Sequence, residues 1–101
     1  MIGRGTTPTI GYIIEDDLDP TTFVVAYLTI VQGSTVVERD ITTMHIDDNV
    51  IYWELTQEET LLFDEDENVD IQIRVRTNEG RAYDTMHSKE SILGINKNGV
   101  I

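Results

Sequence analysis

The chain has 101 residues, 40% of them apolar. This is enough for one domain with one core, and too apolar for a disordered segment. Nineteen acidic residues against seven basic ones give a formal net charge of −12, which opposes binding to nucleic acid or to an anionic membrane. There is no cysteine, so disulfide scaffolds and thiolate metal sites are excluded. The absence of cysteine also fits a protein that is made in a reducing cytoplasm. The sequence contains no run of about 18 apolar residues, so no membrane span is predicted.

The first residues predict an extended N-terminal arm over 1–8, because Pro8 disfavours helix at the residue before it. Thr9–Ile14 is predicted as the first short strand of a domain that covers 9–93. Residues 15–20 are rich in aspartate and end in proline, which is typical of a turn or loop. Residues 94–101 are predicted to form a C-terminal tail.

The segment Thr22–Val31 is dense in β-branched and aromatic residues and lies between two turn signals, which predicts a strand. Its core-facing residues are predicted to be Val24, Ala26, Leu28 and Ile30, with Tyr27 and Thr29 on the outside. Gln32-Gly33-Ser34 is a turn signal, so the strand is expected to form a hairpin with Thr35–Asp40.

A second core strand and a helical turn are predicted in the middle of the chain. Val50–Leu55 alternates apolar residues around Trp53, the only tryptophan and the expected centre of the core. Thr56-Gln57-Glu58-Glu59 matches a capping box and predicts one helical turn near residues 57–63. Leu62 and Phe63 are expected to close one end of the core.

The segment 69–83 gives the strongest structural signal in the chain. Apolar residues occupy the odd positions from Val69 to Val75 and polar ones the even positions between them, which is typical of a strand with one buried face. Asn78-Glu79-Gly80 then predicts a tight turn. Taken together, the elements predict an all-β protein: a small antiparallel β-sandwich, immunoglobulin-like, with a partly open barrel as the alternative.

The search for chemistry gives no catalytic residue, cofactor or metal site. Residues 64–68 begin like a calcium loop, but its sixth and twelfth positions hold Val69 and Val75 where glycine and glutamate are required. A solvated acidic turn is therefore expected, and calcium binding there stays open. His45 and His87 are interpreted as ordinary strand residues. Since no nucleophile motif occurs either, no enzyme activity is predicted.

Three segments carry a resemblance to a known family. They are Arg4-Gly5-Thr6-Thr7-Pro8-Thr9, the run Leu55–Phe63 (LTQEETLLF), and the pattern Ile71–Thr77 (IQIRVRT) with the closing Asn98-Gly99-Val100-Ile101. In order and spacing they resemble a family of short proteins encoded in phages and prophages of Gram-positive gut bacteria. The layout is also similar, at the level of fold, to the N-terminal domain of siphophage upper baseplate proteins.

The resemblance implies a structural protein of the virion, associated with the tail, baseplate or neck and made in the bacterial cytoplasm. Its expected partners are copies of itself and other virion proteins, with no nucleic acid and no membrane. One alternative is a small acidic inhibitor that mimics DNA. Another is a carbohydrate-binding module, with stacking platforms among Tyr12, Tyr27, Tyr52 and Tyr83.

The candidate interface combines a basic strip with the two chain ends. Its residues are Gln72, Arg74, Arg76 and Arg81 in the strip, Ile2 and Arg4 at one end, and Val100 and Ile101 at the other. The strip has two interpretations. It forms an ion-pair ladder with Asp70, Glu79 and Asp84, or it is a docking site for the acidic loop of a neighbouring subunit.

Overall fold

The computed structural model describes residues 2–14, 18–65 and 67–93. The strands are β1 Ile2–Gly3, β2 Thr9–Ile13, β3 Phe23–Gln32, β4 Thr35–Asp40, β5 His45–Asp47, β6 Val50–Glu54, β7 Asn68–Thr77 and β8 Ala82–Leu93. One α-helical turn, α1, covers Gln57–Leu61, and 3-10 turns cover Pro20–Thr22 and Ile41–Thr43. The predicted strands in the three segments Thr9–Ile14, Thr22–Asp40 and Val50–Leu55 are thus confirmed to within a few residues.

The strands form two sheets. The large sheet has the order β1-β8-β7-β3-β4, and the small sheet has the order β2-β6-β5. All pairs are antiparallel except β1 with β8, where Ile2 and Gly3 lie beside Ile92 and Leu93. The two sheets enclose a single apolar core, so the predicted small all-β sandwich is confirmed.

The core draws side chains from both sheets and from the segment after α1. Trp53 is fully buried, as predicted, and its ring nitrogen Nε1 donates to the Asp40 carbonyl oxygen at 2.9 Å. A buried indole N–H without a partner would be costly, so this bond fixes the ring against the end of β4. The largest other fully buried side chains are those of Ile14, Leu28, Ile30, Ile51, Leu55, Phe63, Ile71 and Ile73.

One core prediction in β3 is wrong. Ala26, Leu28 and Ile30 are buried as expected, but Val24 is 48% exposed. The register explains this: Phe23 lies opposite Thr77 and Val25 opposite Arg76, so Val24 is the extra residue of a β-bulge. The bulge moves Val24 out of the alternation, and Phe23 takes the buried position in its place.

The helical turn is confirmed together with its capping box. The Thr56 hydroxyl accepts from the Glu59 backbone N–H at 3.2 Å, and Glu59 Oε1 accepts from the Thr56 backbone N–H at 2.9 Å. Phe63 is buried, as predicted, but Leu62 is 58% exposed. Leu62 is the C-cap of α1 and so begins the exit of the chain from the helical turn, which leaves only Phe63 facing the core.

The segment before β2 is held against α1. Arg4 donates from Nε to the Phe63 carbonyl oxygen at 2.9 Å and from Nη2 to the Leu61 carbonyl oxygen at 3.2 Å. The buried Thr60 hydroxyl accepts from the Gly5 N–H at 3.0 Å and donates to the Thr6 carbonyl oxygen at 2.9 Å. The first two segments that carry the family resemblance are therefore neighbours in space, joined by hydrogen bonds.

Candidate docking surface

The outer face of the large sheet carries the candidate surface. β3 and β7 are antiparallel neighbours, with Tyr27 opposite Arg74 and Val25 opposite Arg76. Side chains alternate between the two faces of a strand, and Ala26 points into the core, so these four point away from it. We call Val25, Tyr27, Arg74 and Arg76 the arginine patch.

The arginine patch forms a shallow hollow of about 160 Å³, completed by Val75 and Ala82. Tyr27 is 43% exposed, and both guanidinium groups lie on the exposed surface. An aromatic ring beside two arginines offers apolar contact area together with planar, multiple N–H donors. This combination suits a carboxylate-bearing partner, because arginine binds carboxylates in a bidentate manner.

The two patch arginines have no charge partner within the described part of the chain. The ion pairs there are Arg39 with Glu59 at 2.7 Å and Lys89 with Asp70 at 3.7 Å. Asp70, an expected member of the ladder, thus pairs with the β8 lysine instead. Among the described side chains the predicted ion-pair ladder is not formed. The side chain of Asp84, which faces Arg74 in the β7–β8 register, lies outside the described residues.

The remaining residues of the basic strip lie outside the patch. Gln72 is half-buried on β7, opposite Thr29. Arg81 follows the hairpin turn, where Gly80 has a φ of +85°, and lines a separate groove of about 360 Å³ at the end of the sandwich. That groove is also lined by Leu18, Asp19, Thr22, Thr77, Asn78, Glu79 and Tyr83.

The structure places the predicted terminal contacts away from the patch. Ile2 is buried in the core, and Arg4 binds the carbonyl oxygens at the end of α1. Neither side chain is therefore free on the surface of this structure. Val100 and Ile101 lie outside the described residues.

The acidic loop after Phe63 is held by a buried amide. Gln32 Nε2 donates to the carbonyl oxygens of Asp64 at 3.0 Å and Glu67 at 3.2 Å, and its Oε1 accepts from the Asp64 N–H at 2.7 Å. Asp66 lies outside the described residues. Over the ranges that the structure covers, no three acidic or histidine side chains cluster closely enough to hold a metal ion.

His45 lies on the opposite outer face, that of the small sheet. It stacks on Tyr52 of β6, with ring centroids 5.0 Å apart and planes at 19°. A cross-strand aromatic pair of this kind stabilises the β5–β6 hairpin and accounts for the histidine without a ligand. Tyr12 and Tyr83 are half-buried and pack against the core.

The sequence predicts Arg74 and Arg76 as interface residues but does not predict that Val25 and Tyr27 lie beside them. Tyr27 was expected on the outside and Arg74 on the wet face of its strand, but their contact depends on which strands are neighbours and in what register. The one available signal was the apolar character of both faces of Thr22–Val31, which is typical of a strand covered on both sides.

No helix in the described ranges is long and apolar enough to cross a membrane. Comparison with known protein families, with curated proteins and with solved structures finds no match for this chain.

Proposed function

We propose that the protein is a structural component of a phage virion, associated with the tail, baseplate or neck, and acts by packing against other virion proteins and copies of itself. The observation that supports this most is the arginine patch. Two exposed guanidinium groups, for which the described residues provide no charge partner, lie beside an exposed tyrosine on a chain whose net charge is −12.

The patch has the composition of a binding surface. Tyrosine and arginine are enriched in interface residues that carry most of the binding energy. Most of the chain repels acidic partners, whereas this face attracts them, so the patch selects which side of the protein meets an acidic neighbour. The phage assignment itself depends on the resemblance of the three sequence segments.

Charge reversal tests the proposal. We expect Arg74→Glu/Arg76→Glu to fold normally, since both side chains are exposed, and to be lost from purified particles analysed by mass spectrometry. Lys89→Glu is the matched control, because it reverses a charge on the same sheet outside the patch. Retention of the doubly reversed protein at the level of the control would contradict the docking role, and absence of the native chain from particles would contradict the virion role.

The same particles distinguish the alternatives. A DNA mimic would be absent from particles and would bind a host restriction or nuclease complex through carboxylates. A carbohydrate-binding module would bind glycans and lose that binding on substitution of Tyr27 or Tyr52.

A further inference from the structure

We infer that two copies of this chain associate by pairing their β2 strands, which joins their small sheets into one continuous sheet. β2 is an end strand of the small sheet, bonded to β6 on one side. Within the described residues, no strand lies on its other side. An unpaired edge of this kind is a template for another strand.

The hydrogen-bond pattern identifies the open groups. Leu55 donates its N–H to the Pro8 carbonyl oxygen at 2.9 Å, and Ile14 donates to the Asn49 carbonyl oxygen at 2.6 Å. In an antiparallel pair the residues that bond to the neighbour alternate with those that point away. The even-numbered residues of β2 therefore bond to β6. Thr9, Gly11 and Ile13 direct their N–H and C=O groups outwards.

This edge lacks the features that normally prevent pairing. Proteins protect open edges with charges, prolines, bulges or very short strands. The sequence of β2, Thr-Ile-Gly-Tyr-Ile, has no charge and no proline, and its pairing with β6 is regular throughout. Ile13 is 67% exposed at the end of the strand.

A recess in the surface lies beside the same edge. Ile2, Ile10 and Ile71 line a cavity of about 250 Å³, together with Pro8, Thr9, Gly11 and Glu90. These three isoleucines are buried in the core, at 2%, 9% and 1% exposed, so the cavity is a recess beside the edge and not an uncovered apolar surface. A strand added to β2 would extend the small sheet over this recess.

The neutral sequence of β2, which is complementary to itself in antiparallel register, favours β2 of a second copy as the added strand. Two chains of charge −12 repel, so they associate most easily where the paired residues are neutral. An antiparallel pair with Gly11 on the two-fold axis places Thr9 opposite Ile13 of the other copy, and Ile10 opposite Tyr12. All of these positions are neutral, and the outward groups form about six hydrogen bonds.

Gly11 lies at the centre of the proposed pair, and its close packing against β6 of its own sheet requires a residue without a side chain. A Cβ there would lie 3.2 Å from Tyr52 Cβ and 3.3 Å from the Ile51 carbonyl oxygen, closer than most side chains tolerate. Because Gly11 has no Cβ, no side chains meet on the outer face at the middle of the paired strands. The contact is isologous, so it closes after two copies.

This inference rests on the proposed function only for the statement that copies of the chain meet in an assembly. The arginine patch lies on the large sheet and β2 on the small one, so their tests are separate. Arg74→Glu/Arg76→Glu is expected to leave the β2 dimer intact, and loss of β2 pairing leaves the patch able to bind other proteins.

A charge-swap pair tests the register. Each Thr9 faces Ile13 of the other copy, so Thr9→Lys/Ile13→Lys places lysine opposite lysine twice, whereas Thr9→Lys/Ile13→Glu places lysine opposite glutamate twice. In sedimentation equilibrium we expect a dimer for the native chain and a retained dimer for the lysine–glutamate variant. For the lysine–lysine variant we expect a dimer whose affinity is lower by about tenfold or more. Val36→Lys, on the edge of β4, should leave the dimer unchanged.

Several outcomes overturn the inference. They are a native chain that stays monomeric at all concentrations, a lysine–lysine variant that dimerises as well as the native chain, and a lysine–glutamate variant that dissociates as far as the lysine–lysine one. Amide hydrogen exchange supplies a second readout. The amides of Thr9, Gly11 and Ile13 should exchange slowly in the dimer and fast in the lysine–lysine variant. Slow exchange in a monomer would show that the chain covers its own edge. Circular dichroism checks that each variant is folded.

Discussion

The two sheets end in edge strands of opposite character. In β4 the hairpin turn at Gly33 makes Thr35 bond to β3, so Val36, Glu38 and Asp40 direct their backbone groups outwards. In β2 the corresponding residues are Thr9, Gly11 and Ile13. The β4 edge carries two carboxylates beside its open amides, whereas the β2 edge carries no charge.

This difference indicates that, of these two edges, β4 is protected from pairing and β2 is not. Two β4 strands centred on Glu38 would place two carboxylates face to face, which is unfavourable. β4 is also tied down by Arg39, which bonds Glu59, the Thr43 hydroxyl and the Glu54 carbonyl oxygen. The protein thus protects the β4 edge of the large sheet and leaves the β2 edge of the small sheet open.

The largest expected effect comes from the residue that supports both edges. Trp53 pairs with Ile10 of β2, and its indole bonds the last residue of β4. Trp53→Ala should reduce the free energy of unfolding by about 3–5 kcal/mol, because it opens a cavity in the core. Urea denaturation followed by circular dichroism measures this. Trp53→Phe, which keeps an aromatic ring, should lose clearly less, and equal losses would show that the core does not depend on ring volume.

A smaller effect is expected from the support of β2 alone. Thr60 is fully buried, and its hydroxyl bonds Gly5 and Thr6 in the segment that leads into β2. Thr60→Val keeps the shape of the side chain but removes both hydrogen bonds, to the Gly5 N–H and to the Thr6 carbonyl oxygen, so we expect a loss of about 1–3 kcal/mol. Faster exchange of the Gly5 amide should accompany it. Thr60→Ser keeps the hydroxyl and serves as the control, and equal losses for the two variants would contradict the role of the hydrogen bonds.

Glu59, which supports β4, is expected to contribute less to the free energy of unfolding. Glu59 both caps α1 and pairs with Arg39. Glu59→Ala should cost about 1 kcal/mol in thermal or chemical unfolding, since it removes the cap and the half-buried ion pair together. Glu59→Gln can still accept from Thr56 and from Arg39, so it isolates the charge and should stay close to the native stability. A glutamine variant as unstable as the alanine one would assign the effect to charge alone.

The smallest effect concerns the acidic end of β4. The Thr42 hydroxyl and backbone N–H both donate to the Asp40 carboxylate and hold its pKa below the ordinary value of 3.8. The stabilisation is therefore present above that value and is lost as the pH falls through the lowered pKa. Thr42→Val should raise the pKa of Asp40 towards 3.8, measured by NMR titration of the carboxyl carbon. Thr21→Val, which removes the equivalent bond to Asp19, should leave Asp40 unchanged.

What the sequence could predict was local. The alternation in Val69–Val75 marks one strand and needs no knowledge of its neighbours, and the capping box depends on four consecutive residues. Both predictions are confirmed. Val24 was placed on the wrong face, because a bulge shifts the alternation by one residue without a sequence signal such as glycine.

The candidate surfaces depend on the pairing of strands that are distant in sequence, so they could not be predicted from the sequence. The meeting of Tyr27 with Arg74 follows from the β3–β7 register, and the exposed edge of β2 follows from the order of strands in the small sheet. Neither is encoded in a short stretch of residues. The parallel pairing of Ile2 with Ile92 is a third example, since it joins residues from opposite ends of the described chain.

The hydrogen bonds of Gln32 fix the backbone of the acidic loop without involving its charged side chains. The side-chain amide of Gln32 bonds to backbone groups of Asp64 and Glu67 and not to their carboxylates. Bonds between neutral groups do not weaken with ionic strength, so the loop should keep its course in salt that screens its charges. Its carboxylates can therefore be exchanged for other side chains without refolding the loop. The charge that this loop carries can change while the sandwich beneath it stays the same.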